Sequence, residues 1–407
     1  MAADLSSAVD DSRDHWLAVA EEEFVPTTSG GRVESLNLLK AAAAAGVRLH
    51  VIVPDMGDEV SVHAHQAALP GHRLEGIPRA TTWRSHLSLH PYIFQSRRLP
   101  PGFLGGVRQL HAEDPFDAVL AGSFRVAQMG LALASAIDVP LVIRPHNRES
   151  NYFTQLAQDS SFPRNVAYRV EAYKLRWAEY RIHSAAGVAL FADISQSDAQ
   201  WRAVRTRTPV IHVPPFVDTA KSARPVDGRQ RSRAESCTLL FLGALDHPIN
   251  VAGVRWFVQR CWPTLRRRES AVLLHIVGRH APSRLVVELQ ASGAQVTTDA
   301  PEVGSLLREA DIFINPVQRG SGVNIKMVEA MQAGLPIVST TLGARGLEWR
   351  DGQHLLIADS HEHFTSAVGR LLDDSELRQR IGSAAQAFVQ DELVGLRHIS
   401  RIRNLTR

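Results

Sequence analysis

Strand-like and helix-like hydrophobic patterns alternate along the chain. HWLAVAEE (15–22) reads as a first strand and VPTTSGG (25–31) as a turn. RVESLNLLKAAAAAG (32–46) then reads as a helix that stops at Gly46, a C-cap residue. VRLHVIVP (47–54) is a nearly continuous β-branched apolar run, the pattern of a strand buried on both faces. Strand, glycine turn, helix and strand make a βαβ unit with an expected right-handed crossover. The unit recurs. FDAVLAGS (116–123) leads into VAQMGLALASAI (126–137), and PLVIRPH (140–146) follows. After a long helical stretch come GVALFADIS (187–195) and PVIHVPPFV (209–217).

DTAKSARPVDGRQRSRAES (218–236) is polar and aperiodic, the pattern of a linker. Beyond it the alternation restarts, with strands at TLLFLGAL (238–245), AVLLHIVG (271–278), QVTTD (295–299), DIFINPV (311–317) and PIVSTT (336–341). Helices are expected near VAGVRWFVQRCW (251–262) and at SRLVVELQASG (283–293), EVGSLLREA (302–310) and NIKMVEAMQAG (324–334). The class is therefore α/β, with two Rossmann-like, doubly wound parallel-sheet domains. The expected boundaries are 1–217, a linker at 218–236, 237–385, and a last helix at 386–407 that crosses back to the first domain. Ligands of such sheets bind outside the carboxyl ends of the strands, so the chemistry belongs in the cleft between the domains.

Composition narrows this picture. The chain has 407 residues, enough for two domains, and a net charge of +3, too small a basic excess for a dedicated nucleic-acid binder. Cys237 and Cys261 are the only cysteines, so neither a disulfide framework nor a thiolate zinc site is available. The first fourteen residues carry Asp4, Asp10, Asp11 and Asp14, unlike a targeting segment. No stretch is apolar for long enough to span a bilayer. A cytoplasmic protein is the expectation.

The informative stretch is NPVQRGSGVNIKMVEAMQAGLPIVSTTLGARGL (315–347), in which Gly320-Ser321-Gly322 turns a strand into a helix. Glycines there let backbone N–H groups approach a phosphate, and the helix N-terminus adds partial positive charge. Lys326 sits in the first helical turn, where a cation opposes the macrodipole, and Lys-then-Glu at 326 and 329 is the less favourable order for an ion pair. Helix stability does not account for the lysine. A bound diphosphate would, with Glu329 accepting from a ribose diol; the alternative is a solvated Lys–Glu pair beside an ordinary turn.

GSGVNIKMVEAMQAGLPIVSTTLGARGL resembles the donor-binding segment of the retaining glycosyltransferases of family 4, which have the two-domain GT-B fold. FLGALDHPINVAGVRWF (241–257) and LLHIVGRHAP (273–282) resemble further parts of the family's second domain. PTTSGGRVESLNLL (26–39) is similar to its glycine-rich turn, and RPHNRES (144–150) to its acceptor-side loop. The resemblance implies that Glu329 binds the nucleotide ribose and Lys326 the donor diphosphate. Ser321, Gly322, Val323 and Asn324 would hold the pyrophosphate and sugar, largely by backbone N–H groups. Gly30 and Gly31 would close over the diphosphate, Gly278 and Arg279 would border the nucleotide, and His146 would lie near the reacting sugar. A histidine ending a buried strand and bonded to backbone is the other reading of His146. Two departures stand out. Ser321 occupies the place of the first of two family glutamates. Ala244 and Ile249 occupy the places of an Arg and a Lys, which leaves phosphate charge to Lys326, with Arg319 or Arg279.

The implied activity is retaining transfer of a sugar from a nucleotide-diphosphate sugar to an acceptor hydroxyl, in glycan or glycosylated-metabolite biosynthesis. The acceptor would be a small molecule, a lipid-linked sugar or a growing glycan. No Asp-x-Asp triplet occurs, so no metal and no cofactor are expected. A sugar-nucleotide epimerase or phosphorylase on the same scaffold, and a non-catalytic nucleotide-sugar-binding protein, are the alternatives. The histidines at 63, 65, 72, 86 and 90 fall in a poorly patterned stretch, 55–115, read as acceptor recognition rather than as a metal site. RNVAYRVEAYKLRWAEYRIH (164–183) is read as a helix that buries its aromatics and solvates its charges; contact with phosphorylated acceptors or a membrane surface is the alternative. The basic tail LRHISRIRNLTR (396–407) is read as packing on the first domain.

Overall fold

The computed structural model describes residues 14–27, 29–79, 88–217, 236–268, 272–300, 303–320, 322–393 and 395–406. Seven parallel strands form a first sheet: β1 (His15–Val19), β2 (Arg48–Pro54), β3 (Arg73–Ile77), β4 (Ala118–Ala121), β5 (Leu141–Ile143), β6 (Val188–Asp193) and β7 (Val210–His212). Their order is β3-β2-β1-β4-β5-β6-β7. Six parallel strands form a second: β8 (Cys237–Leu242), β9 (Val272–Gly278), β10 (Gln295–Thr298), β11 (Ile312–Asn315), β12 (Ile337–Ser339) and β13 (Leu356–Ile357), ordered β10-β9-β8-β11-β12-β13. Both orders reverse beside the first strand of the sheet, at β1/β4 and at β8/β11. These are the two switch points at which a doubly wound sheet opens a crevice.

Period-two alternation sorts each strand onto two apolar faces. In β1, Trp16 and Ala18 enter one cluster and Leu17 and Val19 the other. In β8, Leu239 and Phe241 face one side, Leu240 and Leu242 the other. Burial on both faces is why these strands read as continuous apolar runs.

Several expectations are revised. The helix after the first turn starts at Gly30, not Arg32: Gly30–Ala44 is capped by Ser29, whose Oγ accepts from Arg32 N at 3.3 Å. The stretch 55–115 is more regular than its pattern suggests. It holds helices Glu59–Ala68, Tyr92–Gln95 and Phe103–Glu113 and the edge strand β3. Each of Glu59–Ala68 and Phe103–Glu113 fully buries a single residue, although Phe103, Leu104 and Leu110 of the latter also pack, partly buried, against the core. That single residue in the former is His65, whose Nε2 accepts from Phe24 N and Val25 N at 3.0 and 3.2 Å. Positions 80–87, with His86, lie outside the described residues.

The Arg164–His183 helix also departs from expectation. Tyr173, Trp177 and Tyr180 are turned outward, while Glu171 and Glu179 are buried. Most of the expected linker, 218–235, lies outside the described residues. After β13 the helix Ser375–Glu392 runs unbroken across position 385 and packs on the helix Ile325–Gln332. Only the next helix, Gly395–Thr406, lies on the first domain, where Ile399 and Ile402 enter the core between Leu38, Val213 and Phe216.

Candidate functional site

A cavity of about 540 Å³ lies between the two sheets. Its walls are the segments that leave the carboxyl ends of the strands. Glu21 follows β1, Arg125 follows β4, and His146, Asn147 and Glu149 follow β5. From the second sheet come Gly243 and Ala244 after β8, Gly278 and Arg279 at the end of β9, Val317 to Gly320 after β11, and Leu342 and Gly343 after β12.

Of the residues singled out from the sequence, Gly30, Gly31, His146, Gly278, Arg279, Gly322, Val323, Asn324 and Lys326 all line this cavity. Ser321 lies outside the described residues. Glu329 is not among the residues that line the cavity; it sits one turn behind Lys326, with its Oε2 2.9 Å from Lys326 Nζ. The unfavourable sequence order therefore does not stop the two from pairing; both heads are only about a quarter exposed or less, which shields the contact from water.

The helix Ile325–Gln332 starts at Asn324, whose Oδ1 accepts from Lys326 N at 3.2 Å while its Nδ2 donates to Asn315 Oδ1 at 3.1 Å. Asn324 is thus both cap and anchor to the end of β11. Gly322 has φ +73°, and a Cβ there would run into the Asn147 amide oxygen and come within 2.7 Å of the His146 carbonyl. Only a residue without a side chain brings the second domain this close to the loop after β5. Gly30 lies against Ile325 at the same seam, so the N-termini of the two helices meet across the cleft. Each carries roughly half a positive charge. At Gly278 a Cβ would run into the Gly243 carbonyl and reach Leu245 Cγ at 2.5 Å, so that glycine is required by the packing of β9 against the loop after β8.

On the first-domain side is a buried ionic cluster that the sequence reading missed. Arg125 Nη1 lies 2.9 Å from Glu21 Oε1, and its Nε 3.1 Å from Glu149 Oε2. Burial opposes ionisation of Glu21, but Arg125, His146 and Arg97 together hold its carboxyl at about 2. Burial pushes Glu149 up against the pull of Arg125. Burial also brings the His146 imidazole down to about 4; Glu21, 3.8 Å from Nδ1, raises it only in part. His146 is neutral at physiological pH. It also has a backbone partner in Gly122, so the two readings of this histidine coexist: it is held by the backbone and it faces the cavity.

Other basic side chains are committed elsewhere. Arg319 lines the cavity but pairs with Asp159 across the cleft. Arg144, within RPHNRES, is fully buried. It donates to Glu34 Oε1 at 2.7 Å and to the carbonyls of Val213 and Pro214 at 3.0 and 2.9 Å, tying β5 to the segment after β7. A second bridge between the domains runs from Tyr152 Oη to His247 Nε2, 3.1 Å apart. Ala244 and Ile249 also line the cavity and bring no charge to it.

Comparison with known proteins agrees with this architecture. Residues 29–192 match the model of the glycosyl transferase 4-like domain, and residues 236–374 that of glycosyl transferases group 1. A Klebsiella pneumoniae protein, an uncharacterised 44.6 kDa product of the cps region, is 24% identical over 92% of this chain and 95% of its own length. The phosphatidyl-myo-inositol mannosyltransferase of Mycobacterium tuberculosis is 29% identical over 48% of this chain, and the match spans about half of that enzyme (54%). Among solved structures, Anabaena HepE in complex with UDP and glucose superposes over 96% of this chain and 99% of its own with a TM-score of 0.65 at 14% identity. Sucrose-phosphate synthase from Thermosynechococcus elongatus superposes over 97% of this chain and 99% of its own with a TM-score of 0.68, also at 14% identity. With both halves matched in order and the GT-B arrangement reproduced along almost its whole length, this chain belongs to the group 1 glycosyl transferases and is a glycosyltransferase.

Proposed function

We propose that the cleft transfers a sugar from a nucleotide-diphosphate donor to an acceptor hydroxyl with retention of anomeric configuration and without a bridging metal. The observation that carries this reading is the meeting of two helix N-termini across the cleft with Lys326 beside them, in the same cavity as a neutral histidine and an ionised carboxylate. Breaking a glycosyl–diphosphate bond puts negative charge on the departing diphosphate and positive charge on the sugar carbon. The helix ends would stabilise the first as an oriented contribution, and Lys326 would add its charge on exchanging Glu329 for the diphosphate. In this reading the ionised Glu21 lines the same cavity and supplies negative charge for the second.

Glu329 takes the ribose diol and Lys326 the diphosphate. Backbone N–H groups of Gly322 to Asn324, with Gly30 and Gly31, hold the phosphates. Gly278 and Arg279 border the nucleoside. An imidazole held near 4 is a poor base, so His146 positions the acceptor or sugar. The acceptor oxygen forms its new bond to the sugar carbon on the face that the diphosphate leaves, and its proton passes to the departing diphosphate oxygen. Support for a nucleotide-sugar donor comes from HepE, described with UDP and glucose, and for a lipid-linked acceptor from the mannosyltransferase relatives. A cytoplasmic site of action fits such donors.

A thermal-shift titration with UDP, GDP, dTDP, ADP and CMP, with NAD as control, tests the donor site. Saturation at 100 times Kd adds ~2.7 kcal/mol to folded stability. One nucleotide should raise the melting midpoint in the parent chain and fail to do so in Glu329→Ala. With the donor so chosen, proton NMR of the product should show the donor's own anomeric configuration, and chelator should leave the rate unchanged. An inverted product, or a shift with NAD alone, overturns the proposal.

A further inference from the structure

The Arg164–His183 helix lies outside the machinery just described, and its outer face is unlike an ordinary solvated surface. Val166, Val170, Tyr173, Trp177 and Tyr180 follow one another at steps of four and three residues, and all are exposed, the three aromatics by 60% or more. At 100° per residue they fall within an arc of about 80° and run for about 20 Å along the helix. Phe162, just before the helix, is 81% exposed and extends the same apolar run. Trp177 and Tyr180 pack edge to face with centroids 6.5 Å apart, a preformed aromatic pair standing in solvent.

The charges on this helix are sorted. Arg169 and Arg176 border one side of the stripe and Arg181 the other, while Arg164, at the helix start, lies round the far side; all four are exposed. No ion pair engages them among the described residues. Both carboxylates of the helix turn inward. Glu171 accepts from Tyr92 N, and Glu179 accepts from Ser150 N at 3.1 Å and from Ser150 Oγ at 2.6 Å. Lys174 leans toward Glu171, 3.9 Å away. The outer face of the helix is therefore aromatic, aliphatic and cationic, with no anion.

We infer that this face is a docking surface for an anionic lipid bilayer, with the helix lying in the interfacial plane. Tyrosine and tryptophan place an apolar ring and a polar edge at headgroup depth. Arginines flanking them meet lipid phosphates with charge-assisted hydrogen bonds. A second copy of this chain fits the face less well, because a symmetric pairing would set Arg169, Arg176 and Arg181 of one copy against those of the other. No helix among the described residues is long and apolar enough to cross a membrane, so the contact is one of adsorption. The surface also bears on the cleft: Glu179 holds the first turn of the Glu149–Asp159 helix, which carries Glu149 and Tyr152 into the cavity wall. This inference does not depend on which donor or acceptor the cleft takes.

The test is co-sedimentation of the full chain with vesicles of phosphatidylcholine alone and of equal parts phosphatidylcholine and phosphatidylglycerol. Binding is expected to the anionic vesicles only and should weaken with added salt. Tyr173→Ser/Trp177→Ser/Tyr180→Ser and Arg169→Glu/Arg176→Glu should each weaken it by at least about tenfold. Val287→Ser, at an exposed apolar site elsewhere, should leave it unchanged. Should the triple variant not fold, Trp177→Phe serves instead: the blue shift of tryptophan emission on vesicle addition should shrink relative to the parent chain. No sedimentation with anionic vesicles, or equal sedimentation of the parent and both face variants, overturns the inference. So does a dimer in sedimentation velocity that the aromatic variant converts to monomer.

Discussion

At the scale of single residues, burial rather than residue type sets the chemistry. His146 has an ordinary value of 6.5 and is brought down to about 4; His183, buried beside Arg202, is brought down to about 3. Below its ordinary value each imidazole would take up a proton in the unfolded chain that the folded chain refuses. The folded state therefore keeps its full stability above about pH 6.5 and loses it progressively as pH falls toward 4. Urea melts at about pH 7 and about pH 5 should show this loss, and His146→Gln should make it shallower. Arg144 is a different case, an ion pair sealed from water. Arg144→Ala leaves the Glu34 carboxylate buried without its cation and should cost about 3–5 kcal/mol of stability, read as a fall in urea midpoint. Gly322→Ala should spare the fold of each domain yet separate them, raising KM for donor more than it lowers the melting midpoint, because the added carbon meets Asn147 and His146 across the seam.

At the scale of elements, what could be read in advance follows from how many faces an element buries. The central strands bury both and are legible as apolar runs; the helix at 59–68 fully buries only His65 and shows no such run, whereas the helix at 103–113 carries the stripe Phe103, Val107 and Leu110 packed on the core. Site residues divide the same way. Lys326 and Glu329 share one helix, so their spacing is informative by itself. Glu21, Arg125 and Glu149 arrive from the ends of three strands, and no local pattern links them. A trace is present: an acidic run, Glu21 to Glu23, directly after the first strand, at the carboxyl end where ligands of such sheets bind. The outward turn of the aromatic helix is not legible in the sequence, because its spacing says only that one face is apolar, not which way that face turns. The cap of the Ile325–Gln332 helix gives a prediction at this scale. Asn324→Ala removes the bond to Lys326 N and the tie to Asn315, and should cost about 1 kcal/mol of stability together with a loss of nucleotide-induced thermal shift.

At the scale of the whole molecule, the links between the domains among the described residues include the Gly322 seam, the Gly30–Ile325 contact, the Gln196 N to Gly346 O hydrogen bond, the Tyr152–His247 hydrogen bond, the Arg319–Asp159 pair and the returning helix Gly395–Thr406. The helix contributes core rather than a surface clasp. Ile399→Ala or Ile402→Ala should each destabilise by about 2–5 kcal/mol, and calorimetry should find the loss in the first domain's transition although the residues follow the second in sequence. Arg403 pairs with Asp14 and donates to Ala45 O, so segments nearly four hundred positions apart are neighbours. The second domain is, in effect, inserted into the first. A growing polypeptide that has already made all seven strands of the first sheet still lacks one wall of the core beneath it. That wall arrives only after a further domain has been synthesised. During translation the apolar surface around Leu38, Val213 and Phe216 stays open to chaperones or to misassembly until residues 395–406 emerge from the ribosome.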